Sequence, residues 1–211
     1  MKEITSQALS ELRETVSQRM SAKRFRHTLA VEDMVARLCA LYCPEYTQAM
    51  RAAALLHDLT KELSTEEQVA LSEQLGLTVN TADLLSPKTF HARTAAALIP
   101  YLLPQFADPV ICEAVRWHTT GHRGMTLTEK LLYLADYIDE SRTFENCVTL
   151  RRRFWDADPA RMDQVTREVH LRDILILSYD MTVRDLLDEG APVAEDTVLA
   201  RNELLLERAG L

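Results

Sequence analysis

Ala52-Ala53-Ala54-Leu55-Leu56-His57-Asp58-Leu59-Thr60-Lys61 is the stretch on which the fold turns. An apolar, helix-forming run ends in two adjacent polar side chains. A His-Asp pair in such a place is costly unless something satisfies it. A metal ion does so well, because neutral imidazole and carboxylate are both good ligands. Neighbouring helical residues point about 100° apart, so the two side chains need not serve one ion in the same way. Asp58 has two carboxylate oxygens and the capacity to bridge two ions. Lys61 stands at i+4 from His57 and i+3 from Asp58, which brings its ammonium to the same side. By itself the dipeptide reads first as a solvated helix end, since short motifs are weak evidence. The rest of the chain decides.

Outward from this run, the pattern is helical almost throughout. Leu9, Leu12, Val16 and Met20 recur at spacings of three and four and predict a helix over residues 6–20. A second helix is expected over 21–42, ended by Cys43-Pro44 because the residue before proline avoids helical geometry. The opening run is the third, over 47–59. Ser64 with Glu66 and Glu67 reads as an N-cap and acidic first turn of a helix that runs to Leu75, with Gly76 as its C-cap. Residues 77–87 read as a short helix or loop. His91 to Leu98 is expected to be helical, stopped by Pro100 and Pro104. Asp108-Pro109 supplies N-cap and first position of a helix leading into Trp117-His118.

Residues 119–124 form a polar loop with two glycines, and Thr126 opens the most apolar helix, Leu127 to Ser141. Residues 145–161 are charged and without clear period. Two helices close the chain, Met162 to Glu189 and Asp196 to Arg208, separated by Gly190-Ala191-Pro192. With 5 Gly and 7 Pro in 211 residues, hydrophobic content of 47% and hardly any strict alternation, the fold class is all-α. No internal repeat is evident. The length suits a single domain over residues 1–211.

Composition narrows the function. A net charge of −8 argues against nucleic acid as partner, while leaving room for a small anion held by local cations. No segment approaches the ~18 apolar residues of a membrane span. Met1-Lys2-Glu3-Ile4-Thr5 lacks a signal-peptide core. Cys39, Cys43, Cys112 and Cys147 contain no C-x-x-C pair and read as reduced thiols of a cytoplasmic protein.

Asp136 interrupts the apolar run Leu131-Leu132-Tyr133-Leu134-Ala135, and His27, His91 and His118 each lie near a helix terminus beside apolar faces. Any one of them reads first as a hydrogen-bonded structural residue. Together they spell His27, His57-Asp58, His91, His118, Asp136. That order resembles the HD-domain metal-dependent phosphohydrolases, a helical bundle with the pattern H…HD…H…H…D. Arg24-Phe25-Arg26-His27, Ala54-Leu55-Leu56-His57-Asp58-Leu59-Thr60-Lys61, His118-Thr119-Thr120-Gly121 and Leu134-Ala135-Asp136-Tyr137-Ile138-Asp139-Glu140-Ser141-Arg142 are similar to the YqeK-type subfamily of symmetrical bis(5′-nucleosyl)-tetraphosphatases. The resemblance is strong over about residues 20–145, the metal-binding core it implies. It weakens over a helical C-terminal extension, 146–211, where Ala200-Arg201-Asn202-Glu203-Leu204-Leu205 matches the family's ending.

The resemblance implies hydrolysis of diadenosine tetraphosphate to two ADP. It implies one metal on His27, His57, Asp58 and Asp136, and a second on His91 and His118, with Asp58 bridging. The mixed donor set suits iron, manganese, cobalt or zinc, and the family points to iron. Two such ions share a hydroxide and polarise a phosphoryl oxygen. Lys61 is the candidate to balance charge on the leaving group. Arg142, expected at the end of the Asp136 helix, is a candidate phosphate contact. Thr119, Thr120 and Gly121 offer hydroxyl and backbone N–H groups to polyphosphate, and His122 and Arg123 extend that loop. The i,i+4 spacing of His118 and His122 can mark a zinc pair, but Gly121 breaks the helix between them. His122 is therefore read as a substrate contact or proton donor. The alternatives are the same chemistry on a deoxynucleotide, cyclic dinucleotide or nucleoside monophosphate, and a metal-loaded nucleotide sensor without turnover. A monomer and a homodimer through the C-terminal helices both fit.

Overall fold

The computed structural model describes residues 4–211, apart from the side chain of Ala82. The reading of Met1–Glu3 lies outside the described residues. Among the described residues eleven α-helices follow in order: α1 Ser6–Ser17, α2 Ala22–Tyr42, α3 Thr47–Leu56, α4 Thr65–Gln74, α5 Thr81–Leu85, α6 Pro87–Leu102, α7 Pro109–Trp117, α8 Leu127–Ile138, α9 Glu145–Asp156, α10 Gln164–Asp188 and α11 Glu195–Ala209. No strand occurs among the described residues.

The middle of the bundle is α3. Ala49, Met50 and every residue from Ala52 to Leu56 are buried, so the helix is apolar around its circumference and needs neighbours on all sides. It packs against α1, α2, α7 and α8. Buried Glu32 of α2 accepts from Arg13 of α1 and from Arg51 of α3, at 2.8 and 2.9 Å, so the charge is paired. The C-terminal helices lie against this core through α9 and α10, both of which pack on α8. Arg167 donates to the Leu41 carbonyl, and Tyr42 donates to the Arg167 carbonyl at 3.2 Å.

Several helix limits differ from the sequence expectation, each for a local reason. α3 stops at Leu56 rather than at residue 59, and the chain turns over residues 57–63 through bonds such as Lys61 N–H to the Asp58 carbonyl. α6 begins at Pro87, four residues before His91, because proline is well suited to a first helical position. It also runs through Pro100 to Leu102, since Pro100 faces solvent and its missing N–H disturbs only the outer side. α8 ends at Ile138, not Ser141. Asp139 adopts extended geometry and its carboxylate accepts from the Ser141 N–H at 2.8 Å, a local bond that competes with the helix. Arg142 therefore lies beyond that helix. The charged segment 145–161 contains α9, whose Cys147, Leu150 and Phe154 form a buried stripe between surface arginines. No helix among the described residues is long and apolar enough to cross a membrane. All four cysteines are free, three of them buried and Cys112 half-buried.

Candidate metal centre

The ends of five helices meet at one place. His57 is the residue that closes α3, and Asp58 follows it. His118 closes α7, Asp136 stands in the last turn of α8, His91 in the second turn of α6 and His27 in the second turn of α2. All of these except Asp136 are buried, and Asp136 is half-buried.

Three of the rings are held in the same way. His57 Nδ1 meets the Ala54 carbonyl at 2.6 Å, and His118 Nδ1 meets the Val115 carbonyl at 2.7 Å. A carbonyl only accepts, so each Nδ1 carries the proton and each neutral ring leaves a bare lone pair on Nε2. His27 Nδ1 lies 3.1 Å from Ser141 Oγ, which itself donates to Asp139 Oδ1, so this ring too donates from Nδ1. The three Nε2 atoms turn inward. Those of His27 and His57 are buried without a hydrogen bond.

These bare atoms crowd one another and the carboxylates. His27 Nε2 is 2.9 Å from Asp136 Oδ1, and His57 Nε2 is 3.3 Å from Asp58 Oδ2. His91 Nε2 lies 3.1 Å from both Asp58 Oδ1 and His118 Nε2. The donor atoms of His27, His57 and Asp136 lie within 4.8 Å of one another, as do those of His57, Asp58 and His118. Lone pairs gathered this closely need cations among them. Buried imidazoles oriented by oxygen partners, with carboxylates between, are the donor set of a borderline divalent metal. The residues fit such ions.

For the two carboxylates and His118 the electrostatics agree with the geometry; His27 differs, because burial would lower it but Asp136 and Asp139 raise it to about 9, so ligation there must displace a proton. Burial would raise the Asp58 carboxyl, but His57 and His91 hold it well below the usual carboxylate range. Burial acts likewise on Asp136, and Arg142, His27 and His57 outweigh it. Burial, the largest influence on it, drives His118 well below the ordinary imidazole range. Both carboxylates are thus ionised and His118 is neutral, the states that ligation needs.

Three cations ring the cluster. Arg24 Nη1 donates to Asp58 Oδ2 at 2.7 Å, and Arg142 Nη2 to Asp136 Oδ1 at 2.5 Å. Lys61 Nζ donates to the Lys88 carbonyl at 3.1 Å and stands 3.3 Å from His91 Nδ1. Lys61 and Arg142 were expected here. Arg24 and Asp139 were not. Arg24 precedes His27 by one helical turn, a spacing that would have placed it on the same face. Asp139 gave no such signal, because only the end of α8 turns it inward.

The loop after His118 is brought to the cluster only in part. Thr119 lines the cavity beside His118 and Asp136. Thr120 donates to the Gly121 carbonyl, and the Gly121 N–H is committed to the Trp117 carbonyl at 2.9 Å. Gly121 has φ +62°, and a Cβ there would lie 2.0 Å from Tyr179 Oη, so packing already accounts for this glycine. His122 stacks on Trp117 and meets Glu129 at 3.2 Å, while Arg123 is exposed; neither joins the cluster. His170 stacks on Phe154, away from the centre.

The HD-domain family model matches residues 24–141, which enclose every member of the cluster. The chain belongs to the HD-domain family, a family of hydrolases, and the cluster contains two groups of residues that could hold a metal ion. Over 193 residues it is 30% identical to the symmetrical bis(5′-nucleosyl)-tetraphosphatase of Bacillus subtilis, with 90% of this chain and 94% of that protein covered. The enzyme of the same name from Staphylococcus aureus is 28% identical over 83% of this chain and 88% of its own length. A crystal structure described as a predicted HD superfamily hydrolase involved in NAD metabolism, from Clostridium acetobutylicum, superposes with a TM-score of 0.82 at 27% identity, covering 97% of this chain and all of that one.

Proposed function

We propose that this HD phosphohydrolase splits diadenosine tetraphosphate symmetrically into two ADP. The observation that carries the reading is the convergence of His27, His57, Asp58, His91, His118 and Asp136, with bare Nε2 atoms facing two carboxylates, in a chain aligned along nearly its whole length with enzymes named for that reaction. His27, His57, Asp58 and Asp136 would hold one ion, His91 and His118 a second, with Asp58 shared between them. Iron is the metal we assign. Such ions, when bound, supply Lewis-acid polarisation of a phosphoryl oxygen and an activated water.

The chain's own cations do the remaining electrostatic work. Lys61 and Arg142 stand on different sides of the cluster, beside His91 and Asp136 respectively. They are placed to balance charge on the polyphosphate as the central bridging P–O bond breaks. Arg24, paired with Asp58, is a third such cation. Thr119, next to His118 on the cavity wall, is the loop residue we assign to a phosphate oxygen. Water adds to one central phosphorus, the bridging bond opens, and each half departs as ADP.

Product identification tests this directly. Protein reconstituted with iron, manganese or cobalt is expected to turn diadenosine tetraphosphate into ADP alone. Release of AMP with ATP, or no turnover with any of these metals, overturns the assignment.

A further inference from the structure

A cavity of about 500 Å³ opens from the metal cluster toward the C-terminal end of α10, within the size range of small-molecule sites. Its inner end is formed by His118, Asp136 and Arg142. Its outer end carries Phe144, Asn146 and Asp185. Resting on the nucleotide reading above, we propose that this outer end is a nucleoside subsite, with Phe144 as its stacking face and the Asn146–Asp185 pair as its polar edge.

Three observations support this. Phe144 is 71% exposed and lines the open mouth of this cavity, and Tyr137 lies on the same cavity's wall. A large flat ring left uncovered at the mouth of a cavity offers its π-face to another flat ring. Asn146 spends its amide N–H groups on both oxygens of Asp185, at 3.0 and 2.8 Å. That pairing orients the carboxylate and leaves acceptor lone pairs on both residues, which suit donors such as sugar hydroxyls and ring amines.

The charge of the cavity also has a direction. Arg142 and the cation-binding cluster mark the inner end, whereas Asp185 and Glu189 mark the outer end, where Lys88 is already paired with Glu189 at 3.1 Å. A phosphate is attracted inward and repelled from the outer carboxylates. The ligand that matches is one with an anionic end and an uncharged, donor-bearing, flat end, which is the chemistry of a nucleoside diphosphate. Tight binding of the nucleoside here fixes which phosphorus of a longer chain reaches the cluster.

The test compares ADP with inorganic pyrophosphate on the manganese-loaded full chain, by calorimetry. Wild type is expected to bind ADP more tightly than pyrophosphate. Phe144→Ala should weaken ADP by about tenfold, the scale of one lost base-stacking partner, and pyrophosphate by less than about twofold. Phe144→Tyr should restore ADP binding. Because Phe144 is exposed, its truncation leaves the core packed. An unchanged ADP affinity, or equal losses for ADP and pyrophosphate, overturns the subsite while the nucleotide reading survives. Wild type that binds pyrophosphate as well as ADP overturns the nucleotide reading, and the subsite with it.

Discussion

His27, His57 and His118 each give their Nδ1 proton to an oxygen of the protein, and this small device makes the rest of the centre possible. For His27 the oxygen belongs to Ser141, backed by Asp139, whose Oδ2 is buried and lies 3.4 Å from the same ring nitrogen. Asp139 is thus a positioning residue. Replacing it with Asn removes the carboxylate that fixes the ring, and manganese affinity measured by calorimetry should fall about 10–100-fold with helix content unchanged. An affinity equal to wild type would show that Ser141 alone orients His27. Gly121 matters for a different reason. Gly121→Ala combines positive φ with a Cβ driven into Tyr179 Oη, and should cost about 1–3 kcal/mol in urea denaturation. Adding Tyr179→Phe removes the hydroxyl, and the double variant should recover part of that loss; no recovery would place the whole cost in the backbone.

At the level of elements, the turn after α3 is tied to α6 by a buried polar network. Thr60 Oγ1 donates to the His91 carbonyl at 2.9 Å and lies 2.8 Å from Thr94 Oγ1, while Gln68 of α4 donates to the Thr60 carbonyl and accepts from Thr94. This network sets the distance between the His57–Asp58 pair and His91. Thr60→Val keeps the shape but removes the hydroxyl's bonds to the His91 carbonyl and the Thr94 hydroxyl, which remain bonded to each other, with Thr94 also donating to Gln68. The expected loss is about 0.5–1.5 kcal/mol by urea denaturation. A change below about 0.5 kcal/mol, the range of neutral surface substitutions, would mean that the network is not what holds α6 in place.

For the whole molecule, the proposed metal site lies where α2, α3, α6, α7 and α8 meet, so ions bound there would link the core helices. At a free manganese concentration 100-fold above Kd, binding should add about 2.7 kcal/mol of stability. For a chain of this size that is a rise of about 5–10 °C in Tm, reversed by a chelator. Asp58→Ala should abolish most of the rise, because Asp58 stands within 3.1–3.3 Å of His91 and His57 and is the carboxylate common to both halves of the cluster. A full metal-induced shift in that variant would remove Asp58 from the ligand set.

The one-dimensional pattern was enough for the helical class and for the apolar central helix ending in His57-Asp58, because apolar period and isolated polar interruptions are local properties of a chain. The six residues that gather at the cluster were singled out as a set by the resemblance of their order to the HD-domain pattern. Helix limits were less legible: α3 ends in the turn that bonds Lys61 to Asp58, α8 ends where the Asp139 carboxylate takes the Ser141 N–H, and α9 hides its three-residue apolar stripe among arginines. The i+3 offset of Lys61 from Asp58 presumed a helix where the chain instead turns, and the chain order could not show that Arg24 pairs with Asp58 or that Ser141 and Asp139 back His27. It also could not separate Thr119, on the cavity wall, from His122, one turn further and packed on Trp117. Sequence by itself determined which side chains have no place in an apolar core; only tertiary packing decided which of them face one another, because that depends on where five helices end in space.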